Sequence, residues 1–413
     1  MSNKPLLWAA FIATASMGTP VLAGPLSFEA ALARARQSAP SLRAKTLGAA
    51  ASRSARAAAG ALPDPKLALG VDSFPISGPL AFEPSRDNFT WVRVGVSQEF
   101  PNLAKRHARQ ARADTDISAA EADVIAEERA VEIETATAWI TLAYAEKRLA
   151  TLDAVRARLD RLVRTTPKAV ASGSARPAQT LAGRQALAAL DDRRDELVLA
   201  VARARADLTR WTGDAAPEVS GPFPEFDVDG AQFRAALANN PMLAPIAAKV
   251  GQADADVRLA EAERRPDFGV DVSYQRRDPR FGDYVSAGVT IGLPLFKRHR
   301  QEPLIVARQA DANRVRAEEQ ALRRRLLAEL DAGLADHVMH HAQWIRARDT
   351  IEPLARERVD LDTASYAAGR ATLIDIVDAR NGLVDASLTT LDREALVALD
   401  GARLTLTYRS AAR

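Results

Sequence analysis

The chain has 413 residues, 47% of them hydrophobic but only 5% aromatic, so its apolar content is largely alanine and points to closely packed helices. It contains no cysteine, which excludes disulfides, thiolate zinc sites, cysteine nucleophiles and lipid attachment at an N-terminal cysteine. Lys and Arg number 56 against 53 Asp and Glu, and no stretch is both strongly basic and aromatic, which argues against a nucleic-acid partner.

Residues 1–23 read as an export signal: Lys4, the apolar run "LLWAAFIATASMG", and a small-residue cleavage site "VLAG" after Ala23. A buried N-terminal helix is the alternative reading. Beyond this segment no apolar run reaches eighteen residues, so a bilayer-spanning chain must use strands.

A short helix is expected around Phe28 to Gln37 and a second of about twenty residues ending near Gly60, followed by strands at about 66–74 and 89–100. From Asn102 to Thr166 there is no glycine or proline, and Ile117, Val124, Val131, Ala138, Ala145, Leu152 and Leu159 recur every seventh residue. Such a stripe signals coiled-coil packing over a helix of roughly 90 Å. After the break "TTPKAVASGSARP" a return helix from about Ala178 to Trp211 should fold back antiparallel.

The same order then repeats. "FEAAL" at Phe28 answers "FRAAL" at Phe233, Pro65 answers Pro266, and Pro101 answers Pro294. Two repeats, 24–212 and 230–409, are expected on either side of a proline- and glycine-rich linker at 213–229, with a tail at 410–413. The second repeat should hold strands at about 267–276 and 284–293, a long helix from about Pro303 to Tyr366, and a return helix from Thr372 to Tyr408. Ala321, Ala328, Ala335 and Ala342 keep a seven-residue row that lets helices approach closely.

All four strands alternate. Val285, Ala287, Val289, Ile291 and Leu293 oppose Ser286, Gly288, Thr290 and Gly292, and Val92, Val94 and Val96 oppose Arg93, Gly95 and Ser97. Apolar on one face and polar or glycine on the other is the pattern of a barrel around a wet lumen, although a half-buried sheet in a soluble protein alternates too. Four strands cannot close such a barrel, and an open edge is not tolerated in lipid, so several chains must pool their hairpins.

With "LPDPKLAL" before the first hairpin, "SQEFPNLAKR" and "GLPLFKRHR" after the two hairpins, and "YAAGRATLIDIVDARNGL" at the second helical tip, the chain resembles the TolC family of outer-membrane efflux channels. It is most like the heavy-metal (cobalt-zinc-cadmium or copper-silver) branch. The resemblance implies a mainly α fold with a membrane β-barrel portion: a homotrimer whose twelve pooled strands continue as an α-helical tunnel into the periplasm. It implies a passive exit duct, not an enzyme, in the outer membrane of a Gram-negative bacterium. Its partners would be a periplasmic adaptor, an inner-membrane pump of the RND type and outer-membrane lipid, with no cofactor. The chain departs from the family at its first tip, "ASGSARPAQTLAGRQAL", which lacks acidic residues, and at Lys297, His299 and Arg300. A periplasmic coiled-coil adaptor or scaffold without a pore is the alternative.

By the same resemblance Asp375 and Asp378, three apart on one helix face, match the aspartates that line the closed periplasmic entrance. Tyr366 and Arg370, just before them, are candidates for tethering it, against ordinary tip packing. His337, His340 and His341 flank Met339, and an i, i+4 pair such as His337 and His341 can share a metal. His337 also shares a seven-residue row with Trp344 and Ile351, so a packed or lumen-facing histidine is simpler and no metal site is expected. Lys105, Arg106, Lys297 and Arg298 are expected to begin the long helices. A cation there opposes the helix dipole, which suggests lipid headgroup phosphates as partners, with plain solvation as the alternative.

Overall fold

The computed structural model describes residues 25–171 and 177–409. The expected export signal, the turn of the first helical tip and the C-terminal tail lie outside the described residues. Two short helices, α1 (Phe28–Ser38) and α2 (Pro40–Ala58), lead to β1 (Lys66–Asp72) and β2 (Trp91–Phe100), then to α3 (Leu103–Ala171) and α4 (Pro177–Thr212). The second repeat runs α5 (Gly230–Ala236), two 3-10 turns, α6 (Ala244–Ala262), β3 (Asp267–Arg276), β4 (Tyr284–Gly292) and α7 (Gln301–Arg346). It ends with α8 (Glu352–Ala367) and α9 (Leu373–Tyr408).

α3 spans 69 residues, roughly 100 Å. It runs through Pro167 to Ala171, past the stop expected at Thr166, because one proline removes a single backbone donor without ending a helix that is packed along its length. Val131, Ala138, Ala145, Leu152 and Leu159 of its heptad stripe are buried, whereas Ile117 and Val124 nearer the sheet are half-buried.

The second long helix is interrupted. Pro353 has no N–H for the turn before it, and a single π turn at Ala347–Ile351 between α7 and α8 carries the helix past this point. α7 begins at Gln301, with Pro303 accommodated in its first turn. Lys297 and Arg298 therefore stand in the turn before the helix and do not begin it. The row Ala321, Ala328, Ala335 and Ala342 faces outward; the buried stripe of α7 is Ile305, Ala312, Val315, Leu326 and Leu330.

The four strands form one antiparallel sheet in the order β1-β2-β3-β4. Its central pairing, Val92 to Phe100 against Arg276 to Phe268, joins the two repeats. Below the sheet the packed neighbours are α2 with α3, α3 with α6, and α6 with α7; toward the tips they are α4 with α3, α3 with α9, and α9 with α8. The molecule is thus a wall four elements wide at each level.

Between sheet and tips, α1 and the linker close over the wall. Leu26 N–H donates to the Glu218 carbonyl at 2.7 Å, and Trp139 Nε1 donates to the Leu26 carbonyl at 2.9 Å. Trp139 meets Phe28 and Phe223 edge to face, the arrangement that aromatic quadrupoles favour. Among the described residues no helix is long and apolar enough to cross a membrane.

Where the sheet meets the helices, Asp267 accepts from the Asn102 backbone N–H at 2.8 Å, from Asn102 Nδ2 at 2.9 Å and from Lys105 Nζ at 2.6 Å. Arg106 donates twice to the Gly60 carbonyl. The cations that open α3 are therefore consumed inside the chain, contrary to the expectation that they reach lipid. Asp267→Ala strands the mostly buried Lys105 and should cost about 1–2 kcal/mol, the range of a charge-assisted bond at a partly exposed site, read as a lowered unfolding midpoint at unchanged helix content.

Candidate functional site

The register of the sheet sorts its two faces. Leu67, Val96, Val272 and Ala287 stand in one cross-strand row; Leu69, Val94, Tyr274 and Val285 form the next; Phe100, Phe268 and Ile291 form a third. Nearly all these apolar side chains are exposed in the single chain. The other face carries Ala68, Gly95, Ser273 and Ser286, then Gly70, Arg93, Gln275 and Tyr284, with Lys66, Ser97, Asp271 and Gly288 beyond. Lys66 pairs with Glu99 at 2.6 Å and Arg93 with Asp72 at 3.1 Å on this polar face. The outer edges of β1 and β4 pair with nothing among the described residues. The sheet thus combines a continuous exposed apolar face with two edges unpaired among the described residues.

The far end of the wall is the turn between α8 and α9. Gly369 holds φ at +71°, a left-handed position that glycine fills without a Cβ penalty. Gly369 N–H donates to the Tyr366 carbonyl at 2.9 Å, and Arg370 N–H to the Ser365 carbonyl at 2.8 Å. Thr372 then caps α9 in a reciprocal box: Asp375 N–H donates to Thr372 Oγ1 at 3.4 Å, and Thr372 N–H donates to Asp375 Oδ2 at 2.6 Å. The Thr372 backbone N–H and hydroxyl hold the Asp375 carboxyl below the usual carboxylate range.

Asp378 stands one turn further, exposed, and forms no ion pair among the described residues. Tyr366 is half-buried against the cluster of Leu152, Leu159, Val163, Leu373 and Val377, and Arg370 is exposed. The two carboxylates at the tip are thus exposed, and the tyrosine is half-buried against the core.

The histidines divide. His340 Nδ1 pairs with Asp400 Oδ2 at 2.7 Å across α7 and α9. The His337 and His341 rings lie tilted to one another at 6.3 Å between centroids, with Trp344 edge-on to His341. His337 Nδ1 is buried without a partner, and among the described residues no group of three or more His, Asp or Glu side chains is arranged to hold a metal ion. Sequence reading missed the His340–Asp400 pair because its members lie 60 residues apart. It also missed Arg380, whose Nε is buried without an acceptor and whose pKa is lowered by burial and by Arg158 and Arg161.

Burial holds the His337 imidazole below its ordinary value, reinforced by His341 and His340 and opposed by Asp400. The unfolded chain therefore binds the extra proton more readily than the fold. Stability from this group is present above about pH 6.5, the unfolded value, and is lost as pH falls through the lower folded value. His337→Leu should flatten the fall in unfolding midpoint between pH 7 and pH 5, as measured by circular dichroism melts.

Residues 233–407 match the model of the outer membrane efflux protein family. The chain is 24% identical over 235 residues to the cobalt-zinc-cadmium resistance protein CzcC of Cupriavidus metallidurans, a match that spans 54% of each, so about half of that relative's length is covered. Among solved structures it is similar to the Campylobacter jejuni CmeC outer membrane channel, with a TM-score of 0.78 at 14% identity over 92% of this chain and 85% of that one. It is also similar to CusC, a former of transmembrane channels, with a TM-score of 0.77 at 13% identity over 93% and 92% of the two chains. The fold is that of these channels.

Proposed function

We propose, from the match of residues 233–407 to the model of the outer membrane efflux protein family, that the chain is the outer-membrane channel of a tripartite efflux system. It is a passive duct: it performs no chemistry, and cargo reaches it from an inner-membrane pump of the RND type through a periplasmic adaptor. The observation that carries this reading is the sheet, whose apolar residues share one face while both edges stay bare.

Three copies pool twelve strands, enough for a closed barrel. The same closure covers the free flanks of the wall, α2 and α4 on one side and α7 and α8 on the other. Leu47, Leu199, Val338, Leu354 and Leu361 are exposed on these flanks, as is the alanine row of α7. The expected export signal and the exposed apolar face of the sheet together favour the outer membrane of a Gram-negative cell, with lipid around the sheet and the helices in the periplasm.

At the entrance, three copies bring together six carboxylates from Asp375 and Asp378, a ring that concentrates cations and disfavours anions. Tyr366 and Arg370 tether the closed state, and opening splays the α8–α9 tips. Heavy-metal cations are the proposed cargo, supported by the likeness to a cobalt-zinc-cadmium resistance protein.

The full chain reconstituted in planar bilayers should give cation-selective single-channel currents; a soluble monomer without current would overturn the duct. Asp375→Asn with Asp378→Asn should weaken block by multivalent cations roughly tenfold, the low end of what focused charge adds to local counter-ion concentration. Unchanged block removes these residues from the entrance. A deletion strain should lose resistance to cobalt, zinc or cadmium; sensitivity to organic drugs alone would reassign the cargo.

A further inference from the structure

The duplication places a cationic pair after each hairpin, and the two pairs have different fates. After β2, Lys105 and Arg106 are taken up by Asp267 and by the Gly60 carbonyl. After β4, the segment Pro294–Arg300 carries Lys297, Arg298 and Arg300, all exposed and none ion-paired among the described residues. The nearest carboxylate along the chain, Glu302, is directed to Arg264 at 3.9 Å.

This segment is an ordered turn. Leu295 N–H donates to the Leu293 carbonyl at 2.9 Å, and His299 N–H and Arg300 N–H both donate to the Phe296 carbonyl at 3.1 Å. Glu302 N–H donates to the Lys297 carbonyl at 2.9 Å, tying the turn to α7. With the backbone occupied in this way, the side chains point out. Leu295 is 75% exposed and Phe296 74% exposed, values that a soluble turn of this size has no reason to keep.

The apolar pair continues the belt. Ile291 lies in the row of Phe100 and Phe268 at the helix end of the sheet, and just past the last strand residue Leu293, Leu295 and Phe296 are all exposed. Immediately beyond come His299 and the three cations that form no ion pair among the described residues. An apolar wedge followed by unpaired guanidinium and ammonium groups matches the boundary between acyl chains and phosphates.

We infer that the turn Pro294–Arg300 is a binding site for the headgroup of an anionic phospholipid in the periplasmic leaflet. Leu295 and Phe296 enter the acyl region, and Lys297, Arg298 and Arg300 bind the phosphate. The inference rests on the outer-membrane reading above and adds the lipid class and the residues that select it. One such turn per chain gives three sites around the closed barrel.

The test uses the full chain, extracted as its oligomer, with phosphatidylglycerol and phosphatidylcholine as probes and native mass spectrometry as the readout of bound lipid and subunit number. The oligomer should retain phosphatidylglycerol over phosphatidylcholine by about tenfold or more, three cations each contributing to the attraction. Lys297→Gln with Arg298→Gln and Arg300→Gln should abolish that preference at unchanged subunit number, and Leu295→Ser with Phe296→Ser should weaken retention of both lipids. Equal retention of the two lipids by the unaltered protein, or a preserved preference in the triple variant, overturns the proposal. Loss of subunits in the triple variant also overturns it, since the cations then serve contact between copies. If inorganic phosphate displaces the lipid and the serine variant binds as well as the unaltered chain, the turn is a phosphate site and no lipid site. A chain that never fractionates with membranes fails the channel reading itself, an outcome separate from all of these.

Discussion

A strand edge cannot be left bare in hydrocarbon, because every unpaired N–H and C=O there costs several kcal/mol, on the order of a lost hydrogen bond in an apolar solvent. This sheet exposes its apolar residues on one face and leaves both β1 and β4 open. The rest of the chain is arranged around that constraint. Each level of the wall keeps the lateral order set by the sheet, first repeat on one flank and second repeat on the other. The free flanks therefore stack above one another from β1 through α2 to α4, and from β4 through α7 to α8. In the proposed oligomer, closing the sheet by rotation would bring each first-repeat flank onto a second-repeat flank of the next copy.

The two repeats are similar in order but differ at their joints. In the first, Asn102 and Lys105 bind Asp267 at the start of β3, so the strand-to-helix turn doubles as a clamp between repeats. In the second, among the described residues, the corresponding turn has no strand beyond it and its cations form no ion pair. A helix that opens with Lys105 and Arg106 is unfavourable for the dipole; the carboxylate of Asp267 and the carbonyl of Gly60 offset that cost. Further from the sheet the same economy holds, with Arg36 and Arg129 both directed at the buried Glu132.

At the tip a single residue serves two needs. Asp375 closes the capping box that starts α9, and its carboxylate remains exposed to solvent. The hydrogen bonds that cap the helix also favour the ionised form of the carboxyl. Asp378 has no such role within the chain. Above the tip, the π turn before Pro353 lets the helix continue into α8, where Glu352 accepts from Ser387 of α9 at 3.1 Å.

Much of this was legible along the chain. The alternation in "VRVGV" and "VSAGVTIG" marks strands because side chains on a strand point to opposite faces in turn, and the seven-residue stripe from Val131 to Leu159 marks the buried line of α3 because heptads repeat the helix face. The likeness in "YAAGRATLIDIVDARNGL" singled out Asp375 and Asp378, which the fold leaves exposed at the start of α9. What local pattern left open was decided by packing between segments far apart in sequence. Small residues at Ala321 to Ala342 carry no information on which face they line, so only the fold turned that row outward. Lys105 and Lys297 occupy the same place in a repeated phrase; the sequence determined that both would follow a hairpin, and the tertiary structure decided that Asp267 lies within reach of one alone, because β3 adjoins β2 while the outer edge of β4 is free.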